Sequence, residues 1–336
     1  MNVLVAGYGL IGAQRVQALT RNRSVTEITV YDPKFSGSGV NLTGKAQTAE
    51  APSVWNRRYD AALIAAPHDV AAEILPAVVK LAPKVLLEKP LGRSLSEAQE
   101  LAAAARHANT ALFIGFNYRY LRNVRRLREF LNARQFGEVL SIEVVLAHGA
   151  QPGYEHSWKT HPEKCGGGVC LDPGSHVFDL LLWLFGNIDL VSGYLAQTYW
   201  PIAVEDHAGL IFKLPNGALG QVFLSLSSWR SRLEMTIETE KAQFFLRGRG
   251  KFYGPQRLGI AQRWPWLNPD EPRETEYNYG SEDLSLEEET DEFVALTRGS
   301  PGGCLATAED GLRVMRLVDS CYARLPRSDR ATSSTL

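Results

Sequence analysis

Val3-Leu4-Val5-Ala6-Gly7-Tyr8-Gly9-Leu10-Ile11-Gly12 is the stretch that decides how this chain is read. A short apolar run, 3–6, leads through Gly-x-Gly-x-x-Gly into a segment, 10–20, that reads as a helix. In that context the glycines carry meaning. Gly7 permits a tight turn, Gly9 lets the backbone approach a pyrophosphate, and Gly12 lets the helix pack on the strand. The helix N-terminus, opening at Leu10 and Ile11, attracts the phosphate charge. Asp32 stands 20 residues beyond Gly12, where a second strand at 27–31 ends. There its carboxylate accepts hydrogen bonds from ribose hydroxyls and repels a 2′-phosphate. A glycine-rich turn without a ligand leaves this register of strand, helix and acid unexplained. The expected cofactor is NAD rather than NADP, although Lys34 is a cation that would suit the extra phosphate.

Outward from this stretch, strand and helix alternate. Continuous apolar strands are expected at 61–66, 85–87 and 111–116, with helices at 70–81 and 94–107, where Ser94 and Glu97 fit a capping box. Segment 34–56, rich in Gly, Ser and Thr, reads as loop with at most one short helix. Such an order predicts a parallel sheet covered on both faces. After a helix at 121–134 the character changes. Strands at 139–147, 190–198, 206–213, 219–226, 234–238 and 242–246 follow, with Pro215-Asn216-Gly217 as a turn, and predict a mostly antiparallel sheet. Helices are expected at 175–185, 284–297 and 308–323, segment 248–280 has no assignment, and the tail beyond Pro326 reads as loose. The fold class is α/β, with a doubly wound Rossmann domain at 1–119, a second α/β domain at 120–325 and a tail at 326–336.

A chain of 336 residues suits two domains, and 45% hydrophobic with 22% charged residues is the composition of a soluble globular protein. A net charge of −1 offers no field to recruit nucleic acid or an anionic membrane, so neither is an expected partner. Cys165, Cys170, Cys304 and Cys321 show no paired spacing and read as thiols. His148, His156, His161, Cys165 and Cys170 match no zinc spacing, so no metal is expected. No export signal is read at the start, and the longest apolar stretch, 177–185, is interrupted by Asp179 and too short to span a bilayer. The cytoplasm is the expected location.

Two further motifs carry chemistry. Glu88-Lys89-Pro90 ends a buried parallel strand, and the carboxyl ends of such strands line the ligand crevice. A lysine there is partly desolvated and serves as hydrogen-bond donor or proton relay. Asp172, His176 and Asp179, spaced by four and three residues, share one face of a helix, and histidine is the side chain suited to moving a proton at neutral pH. The plainer alternative is an N-capping Asp172 with a core His176.

The ordered set of glycine loop, Glu88-Lys89-Pro90, Asn117-Tyr118-Arg119 and Gly166-Gly167-Gly168 leading to Asp172, Gly174, His176 and Asp179 resembles the glucose-fructose oxidoreductase, inositol dehydrogenase and MocA family. The resemblance covers residues 1 to about 325 in layout. It implies a Rossmann domain followed by an α/β domain whose open antiparallel sheet forms a homodimer or homotetramer interface. It implies Lys89 as a contact to the substrate hydroxyl and His176 as the acid/base; Asp172 is read from its position as binding a substrate hydroxyl or holding the imidazole. Family members often carry a histidine four residues after the proline equivalent to Pro67; this chain has Ala71 there and His68 next to the proline. The cofactor is expected against Gly7, Gly9, Leu10, Ile11, Gly12, Asp32, Ala66, Pro67, Glu88 and Lys89. The substrate is expected against Asn117, Arg119, Trp158, Asp172 and His176. Trp229, Arg230 and Arg232 read as a solvated strand end sooner than an anion grip. The implied reaction is hydride transfer between NAD and a polyhydroxylated ring. Two alternatives are a lyase or hydrolase that recycles bound NAD and a catalytically silent dinucleotide-binding regulator.

Overall fold

The structure, a computed structural model, describes residues 1–35, 42, 44–262 and 274–328. These form two compact units. One comprises Met1–Asn117, Glu163–Gly166 and Leu284–Arg316; the remaining described residues form the other. The first unit therefore takes in 284–316, a stretch far beyond residue 119 in sequence.

In the first unit, β1 (Asn2–Ala6), β2 (Glu27–Tyr31), β3 (Ala46–Thr48), β4 (Ala61–Ile64), β5 (Lys84–Glu88) and β6 (Ala111–Gly115) lie in the order β6-β5-β4-β1-β2-β3. All five pairings are parallel. Val3, Leu4 and Val5 are wholly buried, as are all four residues of β4, so both sheet faces are covered. Helices α1 (Leu10–Arg21), α2 (Ala51–Trp55), α3 (His68–Val78) and α4 (Leu95–His107) make the crossovers. Strand β3 falls in the stretch expected to be loop. Its Gln47 and Thr48 are exposed, and Gln47 is held by a side-chain bond to Glu27, so it shows no apolar signal. Residues 36–41 and 43 of that stretch lie outside the described residues. Ser94 caps α4 by accepting from the Glu97 N–H at 3.2 Å. The Glu97 carboxylate turns instead to the Arg93 N–H at 2.6 Å, so the reciprocal half of the capping box moves one residue upstream.

In the second unit α5 (Arg122–Asn132) precedes β7 (Val139–Ala147). After the short α6 (Pro162–Cys165) come α7 (Gly174–Phe185) and a run of strands: β8 (Asp189–Ala196), β9 (His207–Lys213), β10 (Leu219–Ser225), β11 (Arg232–Thr239), β12 (Ala242–Arg247), β13 (Arg257–Gln262) and β14 (Glu274–Asn278). The chain then adds α8 (Ser285–Thr297) and β15 (Ala306–Thr307) to the first unit, β15 pairing antiparallel with β6. It ends in α9 (Ala308–Arg324) and β16 (Arg327–Ser328), which pairs in parallel with β8. The first residues of the tail are thus tied down, and 329–336 lie outside the described residues.

The second sheet runs β14-β13-β12-β11-β7-β10-β9-β8-β16. It is mixed: antiparallel except for β7 with β10 and β8 with β16. β13 and β14 come from the stretch without a sequence assignment. β14 is polar and exposed, and β13 is broken by Gly259, so neither shows apolar alternation; 263–273 lie outside the described residues. One face buries Ile142, Val144, Leu210, Phe212, Val222 and Leu224, with Phe178 of α7 edge-on to Phe212 at 5.9 Å. The other face leaves Tyr194, Ile211, Leu219 and Phe223 half exposed. Among the described residues no helix is long and apolar enough to cross a membrane.

Candidate active site

The first unit supplies a nucleotide cradle. Gly7, at φ 99°, donates its N–H to the Tyr31 carbonyl at 2.8 Å, and a Cβ on it would collide with the Ala65 carbonyl oxygen. A Cβ on Gly12 would collide with the Gly7 carbonyl oxygen, so this glycine is what lets α1 start against the loop. A Cβ on Gly9 meets nothing within 4 Å, and no side chain caps α1. Leu10 is 77% exposed on its first turn, with Ile11 beside it at 37%. An uncapped helix N-terminus with open space over its central glycine fits a pyrophosphate. The Asp32 carboxylate accepts the Tyr8 N–H at 2.8 Å and the Lys34 N–H at 3.0 Å, which fixes it beside the loop with lone pairs left for ribose hydroxyls. Ala66 and Pro67 follow the carboxyl end of β4 and are half buried. His68, next along, is buried with Nδ1 2.8 Å from the Cys165 carbonyl oxygen, a structural bond.

Glu88, expected to face the cofactor, has a partner within the fold. Its Oε1 accepts Arg15 Nε at 2.8 Å and Nη2 at 2.6 Å. The same buried guanidinium donates to Thr290 Oγ1 at 2.8 Å, to the Leu286 carbonyl at 3.1 Å, and to Glu289. All five of its donors are used. Arg15 thereby joins α1, the end of β5 and α8. Lys89 follows directly, half buried, with a cis peptide to Pro90. Asn117 donates to Ser285 Oγ at 2.7 Å, at the start of α8.

The second unit supplies the candidate acid/base cluster. The helix carrying it starts at Gly174, with Pro173 as its N-cap residue, so Asp172 lies in the preceding turn and not on the helix face expected from spacing. Proline favours a helix start because its missing N–H costs nothing there. Lys159 Nζ donates to Asp172 Oδ2 at 2.7 Å and lies 5.7 Å from the Trp158 ring, so Trp158, Lys159 and Asp172 form one group. His176 is 9% exposed and stacks on Tyr118 with centroids 4.0 Å apart and planes 4° from parallel. Beyond Tyr118 stands Arg249, 5.0 Å from its ring and 4.6 Å from that of Tyr253; Tyr253 is 6.5 Å from the His148 ring. Burial pushes both phenols up, which keeps them as neutral donors, and burial pulls the His148 imidazole down.

Arg119, expected at the substrate, is 4% exposed, and its guanidinium is spent on Asp179, Nε to Oδ2 at 2.8 Å and Nη2 to Oδ1 at 2.5 Å. Consecutive Tyr118 and Arg119 thus hold His176 and Asp179, one turn apart on α7. Trp229 is fully exposed and Arg232 pairs with Glu234 at 2.6 Å, a solvated strand end. Sequence reasoning passed over Tyr118 as a site residue, although it sat in the quoted Asn117-Tyr118-Arg119, and placed Lys159 only in the 148–165 stretch read as a wall of the pocket. Arg249 and Tyr253 lay in the unassigned segment.

A second acid organises the loop at 198–200 of the same unit. Asp206 accepts the N–H groups of Thr198, Tyr199 and Trp200 at 2.8, 2.8 and 2.9 Å and pairs with His207 at 2.7 Å. Burial opposes its ionisation, but the His207 bond and the three amides outweigh burial and lower its pKa from 3.8 to about 2. A depressed carboxyl contributes stability above its unfolded value and loses it as pH falls through the folded one. Asp206→Asn is expected to cost on the order of 2 kcal/mol at neutral pH and to flatten the fall of stability between about pH 4 and 2 in urea titrations. An unchanged acid limb would contradict this.

A parallel sheet with a Gly-x-Gly-x-x-Gly cradle, followed in the same chain by a unit with a mixed sheet and a helix bearing a buried histidine, is the layout of a Rossmann-fold oxidoreductase. Residues 1–116 match the oxidoreductase family with an NAD-binding Rossmann fold, and 124–245 match the GFO/IDH/MocA C-terminal domain. The chain belongs to the Gfo/Idh/MocA oxidoreductase family. It is 25% identical over 186 residues to a levoglucosan dehydrogenase of Pseudarthrobacter phenanthrenivorans (47% of each chain). It is 27% identical over 186 residues to the rhizopine catabolism protein MocA of Rhizobium meliloti (54% of this chain, 56% of that one). The matched stretch spans about half the length of these curated relatives. The fold is shared with a levoglucosan dehydrogenase solved with NADH (TM-score 0.79, 19% identity, 96% of each chain). It is shared too with a 3-ketoreductase of Actinomadura kijaniata solved with NADP and TDP-benzene (TM-score 0.77, 17% identity, 98% and 99%).

Proposed function

We propose that the protein is an NAD-dependent dehydrogenase acting on a secondary alcohol of a sugar, cyclitol or nucleotide-linked sugar. The observation that carries this reading is the buried His176, stacked on Tyr118 in the same unit as the Asp172–Lys159 pair. When bound, NAD supplies the hydride acceptor. His176 takes the hydroxyl proton, Lys89 hydrogen-bonds the oxygen and stabilises its developing charge, and Asp172, held by Lys159, orients the substrate. Trp158 offers an apolar face to sugar C–H groups. Relatives named levoglucosan dehydrogenase and myo-inositol 2-dehydrogenase support a polyol substrate. Incubating the purified protein and NAD with a panel of sugars, cyclitols and nucleotide sugars is expected to yield NADH with at least one; NADH formation with none would overturn the reading.

A relative named 2,7-anhydro-N-acetylneuraminate hydratase, from Escherichia coli, favours a second reading in which the cofactor is recycled within each turnover. Product formation without accumulated NADH distinguishes it.

Asp32 sets the cofactor choice. Asp32→Ser is expected to weaken NAD by about 1 to 3 kcal/mol and narrow the gap to NADP. Tighter binding of NADP than of NAD by the unmodified protein would contradict this.

The partner is a second copy of the chain. A sheet face carrying Val191, Tyr194, Ile211, Leu219 and Phe223, each 43% exposed or more, suits burial against its own symmetry mate. Light scattering at micromolar concentration is expected to give a dimer or tetramer, and a monomer mass removes the claim.

A further inference from the structure

The glycines at 167 and 168 have no task in this chemistry, yet the fold presses hard on both. A Cβ on Gly167 would collide with the Tyr322 hydroxyl, and one on Gly168 with the main-chain oxygen of Glu205. What comes so close is a clamp. The Glu205 carboxylate accepts the Gly168 N–H at 3.2 Å and the Cys170 N–H at 3.0 Å, while its carbonyl accepts the Val169 N–H at 3.0 Å. Three consecutive amides therefore end on one residue. The Tyr322 hydroxyl completes the arrangement by donating to Glu205 Oε1 at 2.8 Å. Glu205 is 8% exposed, and no basic side chain pairs with it among the described residues.

The clamped turn leads straight to the site. Leu171 and Asp172 donate their N–H groups back to the Gly168 carbonyl at 3.2 and 2.9 Å, and Gly174 donates to the Val169 carbonyl at 2.9 Å. Asp172 follows the last clamped amide by two residues, and His176 sits in the first turn of α7. We infer that Glu205, completed by Tyr322, is a positioning residue for the acid/base pair: by fixing 168–170 it sets where Asp172 and His176 stand. The inference rests on the roles proposed above for those two residues.

A neutral glutamine of the same size has one acceptor oxygen and turns an NH2 group toward amides that need acceptors. Burial raises the Glu205 carboxyl, while Tyr322 and the amides of Glu205, Cys170 and Gly168 pull it back, so the donors are what make a carboxylate tolerable there. A displacement of about 1 Å in a catalytic group is enough to cost up to roughly a hundredfold in rate.

The test uses the full chain with E205Q, E205D and Y322F. Three readouts are needed: hydrogen exchange of the 168–172 segment, the imidazole NMR signal of His176 assigned by its loss in H176Q, and kcat with NAD affinity. E205Q is expected to speed exchange, to shift or split the His176 signal, and to lower kcat about tenfold or more at unchanged NAD affinity. Y322F should move the same readouts less, and E205D should recover part of the loss. A folded E205Q with an unmoved His176 signal overturns the inference, as does a kcat within about twofold of the parent. If E205Q does not fold, Y322F decides by the same signals. If the parent protein oxidises no polyol, the dehydrogenase reading fails, while the His176 signal still decides the clamp.

Discussion

His176→Ala and Lys89→Ala are each expected to lower turnover by about a hundredfold or more while NAD binds as before. The expectation follows from where the two tasks reside. NAD affinity belongs to the first unit, where Gly7 and Gly12 shape the turn, α1 presents an uncapped N-terminus and Asp32 is pinned by two main-chain N–H groups. In the proposed mechanism proton transfer belongs to His176, held in the second unit by the Tyr118 stack and by the Arg119–Asp179 pair one turn along. Removing the imidazole leaves the cradle intact and removes the proton acceptor, so the loss appears in kcat and not in the NAD dissociation constant. In the same proposed mechanism Lys89 acts on the substrate oxygen, and its loss is expected to cost transition-state stabilisation in the same way. Steady-state kinetics with calorimetric NAD titration checks both. Full turnover by His176→Ala would end the acid/base assignment and favour a dinucleotide-binding regulator.

The second large effect is on stability. Arg15→Ala should cost about 3 to 5 kcal/mol, because it removes the buried guanidinium that bridges the Glu88 and Glu289 carboxylates. Arg15 and Glu289 are both fully buried, and the Glu88 side chain is 17% exposed. Lysine does not replace it, since three donors on a point charge cannot reach Glu88, Glu289, Thr290 and the Leu286 carbonyl at once. Arg15→Ala combined with Glu289→Gln should be less destabilised than the single variant, because the buried charge that Arg15 neutralised is gone as well. Urea unfolding at neutral pH provides the measurement. A loss under about 1 kcal/mol for Arg15→Ala would mean that water or another group takes over the carboxylates.

Much of the fold was legible because its signals are local. The 2–6 and 27–31 strands, the loop glycines and α1 are dictated by apolar runs, a turn that only glycine closes, and a helix beginning at once. The succession of short strands with turn signals between them likewise announced the second sheet, and β9 to β12 alternate buried and exposed residues as its strands. β3, β13 and β14 were not legible, since short, polar or glycine-broken strands are specified by their neighbours in the sheet rather than by their own period.

The site divides in the same manner. Glycine loop, Asp32, Lys89 and His176 could be named as candidates from sequence, because each sits at the end of a regular element whose position the pattern predicts. The partners could not. Arg15 meets Glu289 across 274 residues, Arg119 meets Asp179 across 60, and Glu205 meets Gly168 across 37. Glu88 and Arg119 looked like ligand-facing groups in sequence, and tertiary structure gave them ion-pair partners within their own units. The sequence by itself determined the two sheets, the nucleotide loop and the identity of the acid/base candidates, because backbone periodicity and turn chemistry act over a few residues. Only the tertiary structure decided that Asp172 answers to Lys159, that His176 stacks on Tyr118 and that Glu205 grips the turn before them. A buried charge or ring is satisfied by whatever the fold brings within about 3 to 4 Å, and chain spacing carries no record of that.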